Sequence, residues 1–311
     1  MSETASQRKP YSLRRGDMVR VRSLKEILGT LDAEGKCEGL PFMPEMIPFC
    51  GREFRVYRRA DKILHDRYYY VGRLHGTVLL DGLRCNGAAH DGCTAGCLML
   101  WKEAWLEPAS SRQEKPDEEP PPPVSQLPLV TVKEGRFFCQ ATELVSATTY
   151  LPWWDLRQYV RDYVYGESSL GEILSEFVLL AYNKLRRRIG LRAHGSLAGH
   201  QEKTASCELN LQPGELVEVK SREEIEATLD TDGKNRGLGF APEMTGYCGK
   251  RFRVGRQVNK MILEWSGEMR SLNNTVTLEG AICHGIGLRR CPRSCHHLWR
   301  EIWLKRVDAS P

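Results

Sequence analysis

Short runs in which apolar and polar residues alternate recur along this chain. Val19 and Val21 sit between polar neighbours, as do Val217 and Val219, the period-two pattern of a half-buried strand. Further strands are expected around Phe54–Arg58, Thr77–Leu80 and Leu100–Leu106. Between the first two lies a short helix, because Ser23 with Glu26 has the S-x-x-E spacing of a capping box, and Ser221 with Glu224 repeats it. Each of these helices runs into Leu-Asp-x-x-Gly, at Asp32–Gly35 and Asp230–Gly233, a turn in which glycine supplies a positive φ. The pattern changes in the middle of the chain. Leu170, Ile173, Leu174, Phe177, Val178 and Leu185 recur at helical spacing and predict a helix over residues 169–186, with a shorter one before it over Trp154–Tyr163.

The strand-rich pattern is written twice. Gly16-Asp-Met-Val-Arg-Val-Arg-Ser23 matches Gly214-Glu-Leu-Val-Glu-Val-Lys-Ser221, and Phe49-Cys-Gly-Arg-Glu-Phe-Arg-Val56 matches Tyr247-Cys-Gly-Lys-Arg-Phe-Arg-Val254. The offset stays constant as far as Trp101–Leu106 against Trp299–Leu304, and about 38 of the roughly 91 paired positions are identical without a gap. The expected fold is therefore α+β, with two small, mostly-β repeats of the SH3 or KOW barrel kind flanking a helical middle segment. The expected boundaries are a flexible N-terminus over 1–15, the first repeat over 16–107, a linker over 108–128, the middle segment over 129–204 and the second repeat over 205–311. The linker is acidic and then carries Pro120–Pro123, the composition of an extended spacer.

Composition narrows the function classes only a little. Of 311 residues, 41% are hydrophobic and 27% charged, as in an ordinary globular chain, and the net charge of +5 only weakly favours an acidic partner or nucleic acid. The polar first fifteen residues lack the apolar core of a signal peptide, and no run reaches the roughly 18–20 apolar residues of a membrane span. These features predict a cytoplasmic protein, in which eleven cysteines need an explanation other than disulfides.

Eight of the eleven lie at paired positions: Cys50, Cys85, Cys93 and Cys97 in the first repeat, and Cys248, Cys283, Cys291 and Cys295 in the second. Four thiolates saturate a tetrahedral zinc ion or one [4Fe–4S] cluster, so each repeat is expected to hold a four-cysteine metal centre. The loose spacing, with Gly87, Gly92 and Gly96 allowing close backbone approach, favours two iron–sulfur clusters over zinc. On that expectation the protein transfers electrons, or does cluster chemistry, for a redox or biosynthetic partner enzyme. The alternative is a zinc-stapled module that binds protein or nucleic acid. Cys37, Cys139 and Cys207 have no counterpart in the other repeat.

Other candidates carry weaker chemistry. Trp153, Trp154, Arg157, Tyr159 and Arg161 predict an aromatic and cationic surface for a ligand or partner protein. Lys184, Arg186, Arg187, Arg188 and Arg192 oppose the dipole of the long helix and could touch an acidic partner or membrane surface. Asp230-x-Asp232-Gly233 lacks the later ligands of a calcium loop and reads as a capped turn. Glu45 and Glu243, in the repeated Pro-Glu-Met, are expected to hydrogen-bond a loop. No motif of nucleophilic catalysis or nucleotide binding is present. Gly-Leu-Pro-Phe-Met-Pro-Glu-Met, Phe-Cys-Gly-x-x-Phe-Arg-Val and Cys-x7-Cys-x3-Cys before Trp-Lys-Glu-Ala-Trp-Leu together resemble a family of bacterial two-repeat, four-cysteine-per-repeat proteins. The resemblance implies a bacterial source and no particular activity.

Overall fold

The computed structural model describes residues 13–65, 70–109 and 126–307, so most of the expected N-terminal tail and linker, including Pro120–Pro123, lie outside the described residues. The chain is mixed α and β, with small antiparallel sheets, and divides into two compact units. The first comprises Met1–Cys85, Leu98–Ser169 and Glu264–Ser266; the second comprises Asn86–Cys97, Leu170–Leu263 and Gly267–Pro311.

In the first unit, strand β1 (Met18–Val21) puts Val19 and Val21 fully inside, and helix α1 (Leu24–Leu28) follows. The Ser23–Glu26 capping box closes as expected, each side chain accepting the other residue's backbone N–H. Strand β2 (Glu53–Arg59) leads to a hairpin of β3 (Lys62–His65) and β4 (Tyr70–Arg73), then to β5 (Thr77–Arg84), β6 (Leu98–Lys102) and β7 (Leu106–Pro108). The main sheet runs β6-β5-β2-β1-β7, and a smaller one adds β8 (Thr149–Tyr150) beside β4. The single strand expected over Leu100–Leu106 is instead two strands broken by a 3₁₀ turn at Glu103–Trp105. The break has a physical cause. Trp101 and Trp105 both lie in the core, and a continuous strand would bring the Glu103 carboxylate to the same face. In the turn, Glu103 instead accepts the Leu13 N–H at 3.2 Å and pairs with Arg59 at 2.7 Å.

The middle segment is anchored on this unit by a buried amide. Gln140 accepts the Leu100 N–H at 2.8 Å and donates to the Leu100 carbonyl at 2.8 Å, imitating the missing neighbour strand of β6. Glu143 pairs with Lys36 at 2.8 Å. Helix α2 (Arg157–Val164) then closes the unit, beginning three residues later than the pattern predicts.

The second unit holds helix α3 (Leu170–Arg188), β9 (Leu216–Val219), α4 (Arg222–Glu226), β10 (Arg251–Gln257), β11 (Thr275–Leu278), β12 (Trp299–Arg300) and β13 (Leu304–Arg306). Its sheet order, β12-β11-β10-β9-β13, reproduces that of the first unit strand for strand, and both sheets shift register after Val56 and Val254. The core repeats too: Phe240 meets Trp303 edge to face as Phe42 meets Trp105, and the indole N–H groups of Trp303 and Trp105 donate to Thr228 and Thr30. Asp230 is a turn residue and not a calcium ligand, since its carboxylate accepts the N–H groups of Asp232 and Lys234. Among the described residues no helix is long and apolar enough to cross a membrane.

Candidate functional site

The cysteine spacing predicts a metal centre in each repeat, and the structure does not bear this out. Among the described residues no group of three or more His, Cys, Asp or Glu side chains could hold a metal ion. Cys50 and Cys248 sit at the C-terminal ends of the 3₁₀ turns that start at Pro44 and Pro242, where burial pushes both thiols up, Cys50 to about 12. Cys85 follows β5, and Cys93 and Cys97 lie half-buried in the loop of residues 86–97.

In the second unit the Cys283 thiol is engaged locally. The Cys283 sulfur lies 3.5 Å from Glu243 Oε2 and accepts the Gly285 N–H at 3.4 Å. Glu243 Oε1 in turn accepts the His284 N–H at 2.7 Å, so the carboxylate ties a loop as expected. Burial first, then the Glu243 charge, then Cys295 and Cys291, push the Cys283 thiol far up, so it stays protonated. The protonated Cys283 thiol donates to the Glu243 carboxylate. The iron–sulfur function and its zinc alternative, both built on Cys50, Cys85, Cys93, Cys97, Cys248, Cys283, Cys291 and Cys295 as ligands, are therefore withdrawn.

The aromatic surface is built differently. The turn at Pro152–Asp155 is held from behind: Gln158 donates to the Pro152 carbonyl at 2.9 Å, and the Tyr159 hydroxyl donates to the Trp153 carbonyl at 3.1 Å. Tyr159 is thus a buried strut with Lys62 over its ring, and not part of the exposed surface. Trp153 and Trp154 are left 58% and 67% exposed. Leu156, Val160, Tyr163 and Val164 continue the exposure along one face of α2, since residues four and three or four apart are helix neighbours.

Charges in this segment are sorted by sign. Asp155 turns inward onto Arg73 at 2.6 Å and also accepts from Arg157 at 2.9 Å. The Arg157 hydrogen bond, ahead of that from Arg73, lowers its carboxyl to about 2. Asp162 pairs with Lys62, and Glu167 accepts from Arg58 at 3.0 Å and from the Arg59 N–H at 2.7 Å. Each carboxylate of the segment is thereby consumed by the unit's own cations. Arg157 and Arg161 remain on the outside beside the apolar residues.

Helix α3 follows the pattern only in part. Its inner side buries Glu176 and Asn183 and half-buries Ile173 and Phe177, while Leu170, Leu174, Val178 and Leu185 are 57–65% exposed. Glu176 accepts the Gly287 and Arg289 N–H groups at 3.0 and 2.8 Å, and Asn183 accepts the His194 N–H at 2.7 Å. Of the basic residues at its end, Arg186 and Arg192 are engaged locally, Arg186 donating to the Arg192 carbonyl and Arg192 to that of Thr231. No family model, no curated protein and no solved structure matches this chain.

Proposed function

We propose that this chain works by docking a protein partner, and that the face of α2 takes an apolar, acidic segment of it. One observation carries the reading. Tyr150, Trp153, Trp154, Leu156, Val160, Tyr163 and Val164 are all at least half exposed, while Asp155, Asp162 and Glu167 are turned inward. Large exposed aromatic and aliphatic groups are costly to leave in water and mark interaction surfaces, and Trp, Tyr and Arg are the residues that dominate them. The outward charge is cationic, so a complementary segment is acidic. The rigid mount keeps the ordering cost of binding low. We read each sheet as an SH3-like barrel, the first of them carrying this face; strand order, and the 3₁₀ turn before a last strand that returns to the first, support that reading.

The test is a fluorescence titration of the full chain with two synthetic peptides of alternating Leu and Glu, or of alternating Leu and Lys. The acidic peptide is expected to shift the emission of the exposed tryptophans and to bind at least about tenfold tighter than the basic one. Trp153→Ala with Trp154→Ala should abolish the difference, and Arg157→Glu with Arg161→Glu should reverse it. Equal affinity for both peptides would remove the acidic partner.

A further inference from the structure

One buried cation of the first repeat meets different neighbours in the second. In the first, Lys102 is 2% exposed, and its ammonium donates to Glu38 Oε2 at 2.8 Å and to the His75 carbonyl at 2.9 Å. The corresponding residues of the second are Arg300 for Lys102, Arg236 for Glu38 and Asn273 for His75. Arg300 is 7% exposed and keeps the neutral contacts. It donates to the Asn273 carbonyl at 2.8 Å, the Thr275 hydroxyl at 2.9 Å and the Arg236 carbonyl at 3.0 Å. The carboxylate is gone, and a second cation stands in its place.

A buried cation is tolerated when an anion compensates it, and is costly otherwise. Among the described residues no carboxylate pairs with Arg300, and its Nε is buried with no hydrogen-bond partner. Burial, and then the Arg236 charge, lower its pKa, as an uncompensated cation requires. Arg300 lines a shallow, open-mouthed cleft with Arg236, Asn235, Asn273, Asn274 and Ser206. No carboxylate lines that cleft, while Ser206, Asn273 and Asn274 there carry neutral donor groups.

We infer that this cleft is a binding site for a small oxyanion of the phosphate type, with Arg300 as its buried anchor and Arg236 as its outer clamp. Guanidinium groups match the geometry of phosphate oxygens, and a bound anion would supply the charge that Glu38 supplies in the first repeat. The site lies in the second unit and is independent of the α2 face.

The experiment is thermal unfolding of the full chain in sodium phosphate against sodium chloride at matched ionic strength, for wild type and Arg236→Glu. That substitution writes the first repeat's carboxylate into an exposed position of the same backbone conformation, φ 48° at both Glu38 and Arg236, so the fold is expected to tolerate it. Phosphate should raise the wild-type Tm by at least about 2 °C over chloride, as a ligand of the native state does. Arg236→Glu should lose that response, with at least about tenfold weaker phosphate binding by calorimetry. A rise of the same size in both proteins, or none in wild type, overturns the site. Phosphoserine in a parallel series separates the sources: a stronger response than inorganic phosphate assigns the site to the phosphate group of a larger ligand, and an equal one to the free ion.

Discussion

Cys50 and Cys283 show how burial decides what a cysteine can do. The Cys50 thiol, raised to about 12 by burial, holds almost no thiolate at neutral pH, and only the thiolate reacts. Iodoacetamide at pH 8 should therefore label Cys50 at least about a hundredfold more slowly in the folded chain than in urea, as read by peptide mass spectrometry. Comparable rates would show that the thiol is open and its neighbourhood loose. Asp155 shifts the other way. Its folded carboxyl titrates near 2, below its ordinary value of 3.8, so it adds stability that is present above about pH 4 and lost as pH falls through about 2. The stability gap between wild type and Asp155→Asn should accordingly be widest near pH 5 and shrink toward pH 2.5 in denaturant titrations. A gap constant over that range would mean that Arg73 and Arg157 do not hold the carboxylate as an ion pair.

At the scale of elements, spacing shows what is helical but not which way a helix faces. The recurrence of Leu170, Leu174 and Val178 predicts α3 to within two residues at either end, and ordinary amphipathic logic would turn those side chains inward. They face outward because Glu176 and Asn183 have backbone N–H groups to satisfy: the loop over Gly287–Arg290 for one, His194 for the other. A period in the sequence carries no record of such distant partners. Leu174→Lys should thus leave stability within about 0.5 kcal/mol, as for ordinary exposed positions. Glu176→Gln should cost about 1–3 kcal/mol, because a buried acceptor of two N–H groups loses its charge. A larger loss for Leu174→Lys than for Glu176→Gln in urea unfolding would place the helix the other way round. The capping boxes and Asx turns, by contrast, were legible because all their partners lie within four residues.

Over the whole molecule, the duplication was plain in the sequence and returns as two sheets of one strand order, whereas the cysteines were misread by counting. Four paired thiols per repeat suggest a ligand set, yet spacing does not say that Glu243 takes the Cys283 thiol. The informative signal was the opposite one, where the copies disagree. Lys102 with Glu38 became Arg300 with Arg236, a change from a neutral pair to two like charges in a conserved frame of backbone carbonyls. The same comparison run in reverse makes a stability prediction. Glu38→Arg would give the first repeat the second repeat's charges and leave the ammonium of Lys102, 2% exposed, without its carboxylate. Glu38 itself is 66% exposed, so water screens part of the loss, and about 1–2 kcal/mol is expected, less than for a fully buried pair. Adding phosphate should recover part of it, since Lys102 would then face a second cation as Arg300 does in the second repeat. A Glu38→Arg chain as stable as wild type in chloride would show that the frame of carbonyls alone satisfies a buried cation, and Arg300 would then need no anion either.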